Sequence, residues 1–182
     1  MRLVWLLSGL LLLAGCSKPA PDVPEPKPEL KLTGRVMDRA GIIDPRAKER
    51  IAKRLAMAEK LYGPQMVVVT VPTLKGKAIA DYSIDLARAL QVGDAKRNDG
   101  LLLLVAPTER KLRIEVGIGL EGSFSDIFAG KIIRETITPA FKKGDFTGGI
   151  EAGVDRMIRR MKEVPTLPAN DNLQSLDPEK VA

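Results

Sequence analysis

The sequence predicts an α/β fold, a three-layer α/β/α sandwich around a mixed sheet, and three observations predict it. Two runs, Gln65 to Pro72 (QMVVVTVP) and Gly100 to Pro107 (GLLLLVAP), are short and apolar almost throughout. That is the mark of strands covered on both faces. A third run, Arg110 to Gly117, alternates Leu112, Ile114 and Val116 with Lys111, Arg113 and Glu115. Period two with one polar face means a half-exposed strand towards a sheet edge. Amphipathic helical stretches lie between and after these runs, so helices must cover the sheet.

Each element follows from its residues. Asp44-Pro45 opens the first helix: Asp caps orphan N–H groups and Pro has the φ angle of a first turn. Ile51, Leu55, Ala58 and Tyr62 then make one apolar stripe, and Gly63-Pro64 stops it. After the first strand run, Ile79, Tyr82, Leu86 and Leu90 mark a second helix that ends near Gly93. Pro107-Thr108-Glu109 turns the second buried strand directly into the half-exposed one. Two helices follow, one from about Ser125 to Thr138 that stops at Pro139, the other from about Gly148 to Lys162. In the last, Ile150, Val154, Met157 and Met161 point inward and Arg156, Arg159 and Arg160 outward. There is no internal repeat.

The 182 residues suit one domain with appended segments. Arg2 precedes an apolar run from Leu3 to Leu13, too short to span a membrane, where about 20 residues are needed. It ends in Leu13-Ala14-Gly15-Cys16, which resembles a bacterial lipoprotein signal. The resemblance implies a signal peptide over 1–15, cleavage before Cys16, and lipid on that residue's sulfur and new amino terminus. Several acyl chains give stable anchoring. Residues 16–29, with SKPAPDVPEPKPE after the cysteine, alternate proline with charge and read as an extended tether. The folded unit is expected over 30–162, and 163–182 reads as a disordered acidic tail. Ser17 after the cysteine resembles an outer-membrane retention signal, so the expected address is the cell envelope, periplasm-facing.

Composition removes whole classes of chemistry. The chain has no histidine and one cysteine. That excludes Ser-His and Cys-His triads, His-ligated zinc or iron, and any intramolecular disulfide. No haem, zinc or NAD is expected. Residues 30–162 hold 25 Lys and Arg against 16 Asp and Glu, a surplus of nine. With aromatics at only 4%, no stacking residues interleave the basic ones, so no nucleic acid is expected as a partner. A solvated surface, anionic headgroups or an acidic protein explain the charge better.

Two constellations stand out. Gly117-Ile118-Gly119-Leu120-Glu121-Gly122 matches G-x-G-x-x-G, but the strand before it is the return arm of a hairpin and the helix after it leads to another helix. A dinucleotide site needs a βαβ unit with an acid closing the second strand. The second is geometric. A tight hairpin makes the start of one strand and the end of the next share an edge, bringing Asn98 and Asp99 near Glu121, Gly122 and Asp126. Carboxylates and close backbone carbonyls are the hard oxygens that Ca²⁺ or Mg²⁺ takes. Structural uses compete: an Asx turn at Asn98-Asp99-Gly100, and a capping box Ser123-x-x-Asp126.

The stretches Leu32 to Asp38 (LTGRVMD), Val67 to Pro72 (VVVTVP), Asn98 to Ala106 (NDGLLLLVA) and Glu109 to Gly117 (ERKLRIEVG) together resemble the TPM-domain family. So do Gly119-Leu120-Glu121-Gly122, Ile137-Thr138-Pro139-Ala140-Phe141 and Gly144-Asp145-Phe146, in order over about 32–161. The family includes thylakoid-lumen proteins linked to photosystem II repair and many membrane-anchored bacterial proteins. The resemblance implies a Rossmann-like sandwich that binds no nucleotide, a divalent-cation site in some members and phosphatase activity in a plant member. The acidic candidates carried over are Asp38, Asp99, Glu121 and Asp126. Relatives often carry Trp near the end of the second helix, where this chain has Leu90-Gln91.

Two functional readings follow. One is a non-catalytic module, lipid-anchored and assisting assembly, repair or quality control of an envelope protein partner. The other is a metal-assisted phosphatase, with a cation at Asp99, Glu121 and Asp126 activating water. Arg35 or Lys96 would then bind phosphate, although neither an Asp-x-Asp pair nor a Cys-x₅-Arg nucleophile is present.

Overall fold

The computed structural model describes residues 32–163. The expected signal peptide, Cys16 lipidation site, tether and all of the tail beyond Glu163 lie outside the described residues. Four strands form one open mixed sheet in the order β1 (Val36–Asp38), β2 (Gln65–Thr70), β3 (Gly100–Ala106) and β4 (Lys111–Val116). β1, β2 and β3 are parallel, and β4 returns antiparallel to β3 with Leu101 opposite Val116 and Ala106 opposite Lys111. Every residue of β3 is buried and all but the first of β2, as their apolar runs predict. β4 takes the edge and keeps five of its six residues at least partly exposed, also as predicted.

The helices divide between the two faces, giving the three layers. α1 (Pro45–Tyr62) and α5 (Phe146–Glu163) cover one face, where Ile51, Leu55, Val154 and Met157 meet Val68 and Leu103. α2 (Ile79–Ala89) covers the other, where Leu86 packs with Val67, Val69, Leu102 and Leu104. The chain steps from β1 to β2 and from β2 to β3 in the same direction across the sheet, yet α1 and α2 lie on opposite faces. The two crossovers therefore have opposite hands, and one breaks the rule that such connections are right-handed.

Two elements depart from expectation. β1 has no counterpart among the predicted strands, because three residues on an edge carry no usable periodicity. The third helical stretch also does not end at Pro139. α3 (Asp126–Ile132) opens into a π turn over Ile133–Ile137 and continues as α4 (Thr138–Lys142). Proline has no N–H for the carbonyl four residues back and its ring crowds that carbonyl. The chain widens instead, with the Thr138 N–H donating to Ile133 O, and Pro139 falls in the first turn of the next segment.

Candidate functional site at the amino-terminal edge of the sheet

The β3–β4 hairpin sets this edge. The Gly117 N–H donates to Gly100 O at 2.8 Å and the Gly119 N–H to Asn98 O at 3.0 Å. The segment before β3 thus lies against the loop after β4, as the hairpin argument requires. Backbone meets backbone here: a Cβ on Gly117 would strike Asn98 O, and one on Gly119 would strike Arg97 O. The glycine motif serves this close approach.

Asp99 is 3% exposed, and both its oxygens are engaged. Oδ1 accepts from the Asp94 N–H at 2.9 Å and Oδ2 from Arg97 Nε at 2.7 Å. Asp94 in turn accepts from the Lys96 and Arg97 N–H groups at 2.9 and 3.0 Å. Those bonds, Arg97's foremost, hold the Asp94 carboxyl below its usual value. Asp99 likewise raises the Arg97 guanidinium. Gln65 Oε1 takes the Gly93 N–H at 2.7 Å, tying the same loop to the start of β2. Asp99 is therefore the staple of residues 93–99.

The other candidates are placed differently. Glu121 and Asp126 are exposed, and their carboxylates have no hydrogen bond or ion pair among the described residues. The capping box is replaced by a simpler cap: Ser125 is the N-cap of α3, its hydroxyl accepting from the Phe128 N–H at 3.3 Å. Asp38 is at the opposite end of the sheet. It pairs with Thr70, five residues along β2 from Gln65, which pairs with Gly100. At about 3.3 Å per residue the separation is roughly 16 Å, so Asp38 shares no site with Asp99. Its carboxylate takes the Ile42 and Ile43 N–H groups at 3.2 and 3.0 Å and the Thr70 hydroxyl.

Among the described residues no group of three Asp, Glu, Cys or His is placed to hold a metal ion. Calcium takes six to eight oxygens. Glu121 and Asp126 alone keep free carboxylates from the predicted set, so the four acids do not fit a shared protein cage.

A cleft of about 720 Å³ opens beside this edge, between α2 (Ile84, Arg88), the Asp94–Asn98 loop, β4 and Ile118 and Glu121. Glu115 lines it and joins a polar cluster. Glu115 Oε2 accepts from Ser83 Oγ and from Arg113 Nε, both at 2.7 Å, and Ser83 is fully buried. The clue was a serine on the apolar side of α2, next to Tyr82 and Leu86. Sealed from solvent and without a histidine, Ser83 has the setting of a packing contact.

This open-sheet α/β sandwich with a glycine-tight hairpin edge defines a domain class, and the comparisons name it. A family model described as "TPM domain" matches residues 36–160, and the chain belongs to that family. It is similar to the NMR structure of the N-terminal domain of a protein from P. gingivalis. That likeness has 31% identity and a TM-score of 0.68, covering 73% of this chain and 85% of that one. The BA42 protein from Bizionia argentinensis shares the fold at 21% identity and TM-score 0.60, covering 71% and 88%. A Corynebacterium glutamicum N-terminal domain does so at 15% and 0.57, covering 76% and 84%. No curated protein matches the chain.

Replacing Asp99 with Ala is expected to destabilise the fold by about 2 kcal/mol, since it strips the Asp94 N–H of its acceptor and Arg97 of its pair. Arg97 is 40% exposed and regains water, which keeps the loss from being larger. Chemical denaturation measures it; a loss under about 0.5 kcal/mol would contradict the staple. The pH response has a definite sign. Folding lowers the Asp94 pKa below its ordinary 3.8, so its contribution is present above that value and lost as pH falls through the lower folded one. The protection of the Lys96 and Arg97 amides, taken relative to the intrinsic exchange rate at each pH, should therefore fall in acid, and Asp94→Asn should remove the dependence.

Proposed function

We propose that this TPM-domain chain is a lipid-anchored protein of the cell envelope, facing the periplasm, that acts as a non-catalytic binding module for an envelope protein. Its work would be assembly, repair or quality control of that partner. One observation carries the non-catalytic reading: Asp99, the acid a metal-assisted hydrolase would need at this edge, has both oxygens committed to its own loop. The edge also offers contact surface. Ile118 and Ile127 are 76% and 82% exposed and bracket the glycine loop. Aliphatic side chains held out by a stapled loop suit a protein partner. The lipoprotein-like Cys16 and the proline-rich segment after it supply the anchor and reach, and no helix among the described residues is long and apolar enough to cross a membrane.

The test is a photocrosslinking amino acid at 118 or 127 of the full chain in living cells, with position 77 as a control on another surface. A discrete adduct from 118 or 127, weakened by Ile127→Glu on the unlabelled side, is the expected result. No adduct, together with cation-dependent phosphate release from an aryl phosphate that Glu121→Ala abolishes, would overturn the reading in favour of the phosphatase.

A further inference from the structure

A second cleft lies at the other end of the sheet, where β3 gives way to β4. It holds about 600 Å³, within the range of small-ligand sites. In open α/β sheets the carboxyl ends of the parallel strands are where ligands bind, and this cleft sits at that end of β3. Val105, Leu112, Phe141 and Phe146 make its apolar lining, with the two rings 5.0 Å apart. Arg110 and Lys142 supply its charge, and no carboxylate lines it; the Lys111 side chain alternates to the other face, opposite Ala106.

We propose that this cleft binds an amphipathic anion, an alkyl or aryl body carrying one carboxylate or phosphate. The first argument is charge. Neither cation has a salt bridge among the described residues. Lys111, on the other face, acts on Glu109 at longer range; Glu109 Oε1 is held by Thr73 Oγ1 at 2.6 Å and the Leu74 N–H at 2.8 Å. The second is backbone strain. Arg110 sits at φ 52° in the hairpin turn, its N–H donating to Pro107 O at 3.1 Å. Lys75, Gln91 and Asn98 share this left-handed region elsewhere, and of these four Arg110 is the one that lines this cleft; glycine would take the position without penalty. Strained residues cluster where a ligand is clamped. The third is chemistry: a bare inorganic anion would leave the aromatic lining unused, and a neutral apolar molecule would leave two cations beside it unmatched.

The free acid and the lipid headgroup share this chemistry, and the experiment separates them. Full chain labelled for amide NMR is titrated with dodecanoate and dodecyl phosphate below micelle formation, with inorganic phosphate and dodecyltrimethylammonium as controls. Saturable shifts confined to 105–112 and 138–146 with the two amphipathic anions are expected. Arg110→Gly and Lys142→Ala should each weaken binding at least fivefold. Arg110→Gly relieves the left-handed strain, so it should fold at least as well as the parent. Parallel sedimentation compares phosphatidate with phosphatidylcholine vesicles, which the anchor binds alike: an excess on phosphatidate that Arg110→Gly and Lys142→Ala remove identifies a headgroup, and binding of the soluble anions with no such excess identifies a free acid. Equal shifts with the cationic amphiphile, no saturable binding of any anion, or full affinity in both variants would overturn the proposal. Neither result touches the crosslinking test, which reports on the opposite end of the sheet.

Discussion

Gly119→Ala is expected to destabilise the protein by about 3 kcal/mol, while Gly122→Ala, three residues on in the same motif, should be neutral or stabilising by roughly 0.5 kcal/mol. At Gly119 an added Cβ would land on the Arg97 carbonyl oxygen, well inside contact distance, with Asn98 O a further 3.2 Å neighbour. Both obstacles are backbone, in a loop that Asp99 and Gln65 already pin, so no side chain can swing aside. Gly119 has no positive φ; close approach alone demands glycine there. At Gly122 nothing lies within 4 Å of an added Cβ and φ is likewise ordinary. Alanine there only restricts the unfolded chain. Thermal denaturation should show Gly119→Ala melting about 10 °C lower, from the usual relation of free energy to midpoint at this size. The asymmetry is the informative part. Equal losses at 119 and 122 would mean that Gly122 is packed as tightly as Gly119, against the open space beside it.

The same contrast explains how much could be read from the residues. β2 and β3 were legible because burial on both faces leaves a run with no polar interruption, and β4 because its alternation survives to the edge. β1 was not: Val36-Met37-Asp38 is shorter than two periods of any pattern, and it is a strand only because β2 lies beside it. Pro139 was read as a stop by a local rule, and the fold evaded that rule by widening the preceding turn. At the site, sequence placed Asn98 and Asp99 beside Gly117–Glu121 correctly, since a hairpin's register follows from its turn. It could not place Asp38, since the length of β2 separates the two acids. Nor could it tell a carboxylate that faces solvent from one stapled to its own loop, a difference set by the few ångströms between Asp99 and Arg97.

Phe124→Ala is expected to remove about 4 kcal/mol, the loss of a fully buried aromatic and the void left behind. Phe124 has no exposed surface and packs edge-on against Phe128, ring centroids 5.2 Å apart at 88°. Phe128 in turn lies under Arg160, whose guanidinium carbon is 5.0 Å from the ring centroid and whose Nε donates to Ser123 O at 2.7 Å. The Phe124 N–H itself donates to Leu120 O at 2.6 Å, so the ring anchors the far end of the glycine loop as Asp99 anchors the near side. A truncation there should act twice. Denaturant titration should show the midpoint falling with the slope unchanged. In cells grown where the variant is still folded, crosslinking through residue 118 should weaken, because the loop that presents Ile118 has lost its anchor. Binding in the cleft beside Arg110 should survive, since none of Phe124, Phe128 or Arg160 lines it. Phe124→Leu, which keeps most of the volume, should recover more than half of the lost stability and the crosslink with it. If Phe124→Ala left both intact, the loop would owe its position to the glycine contacts alone.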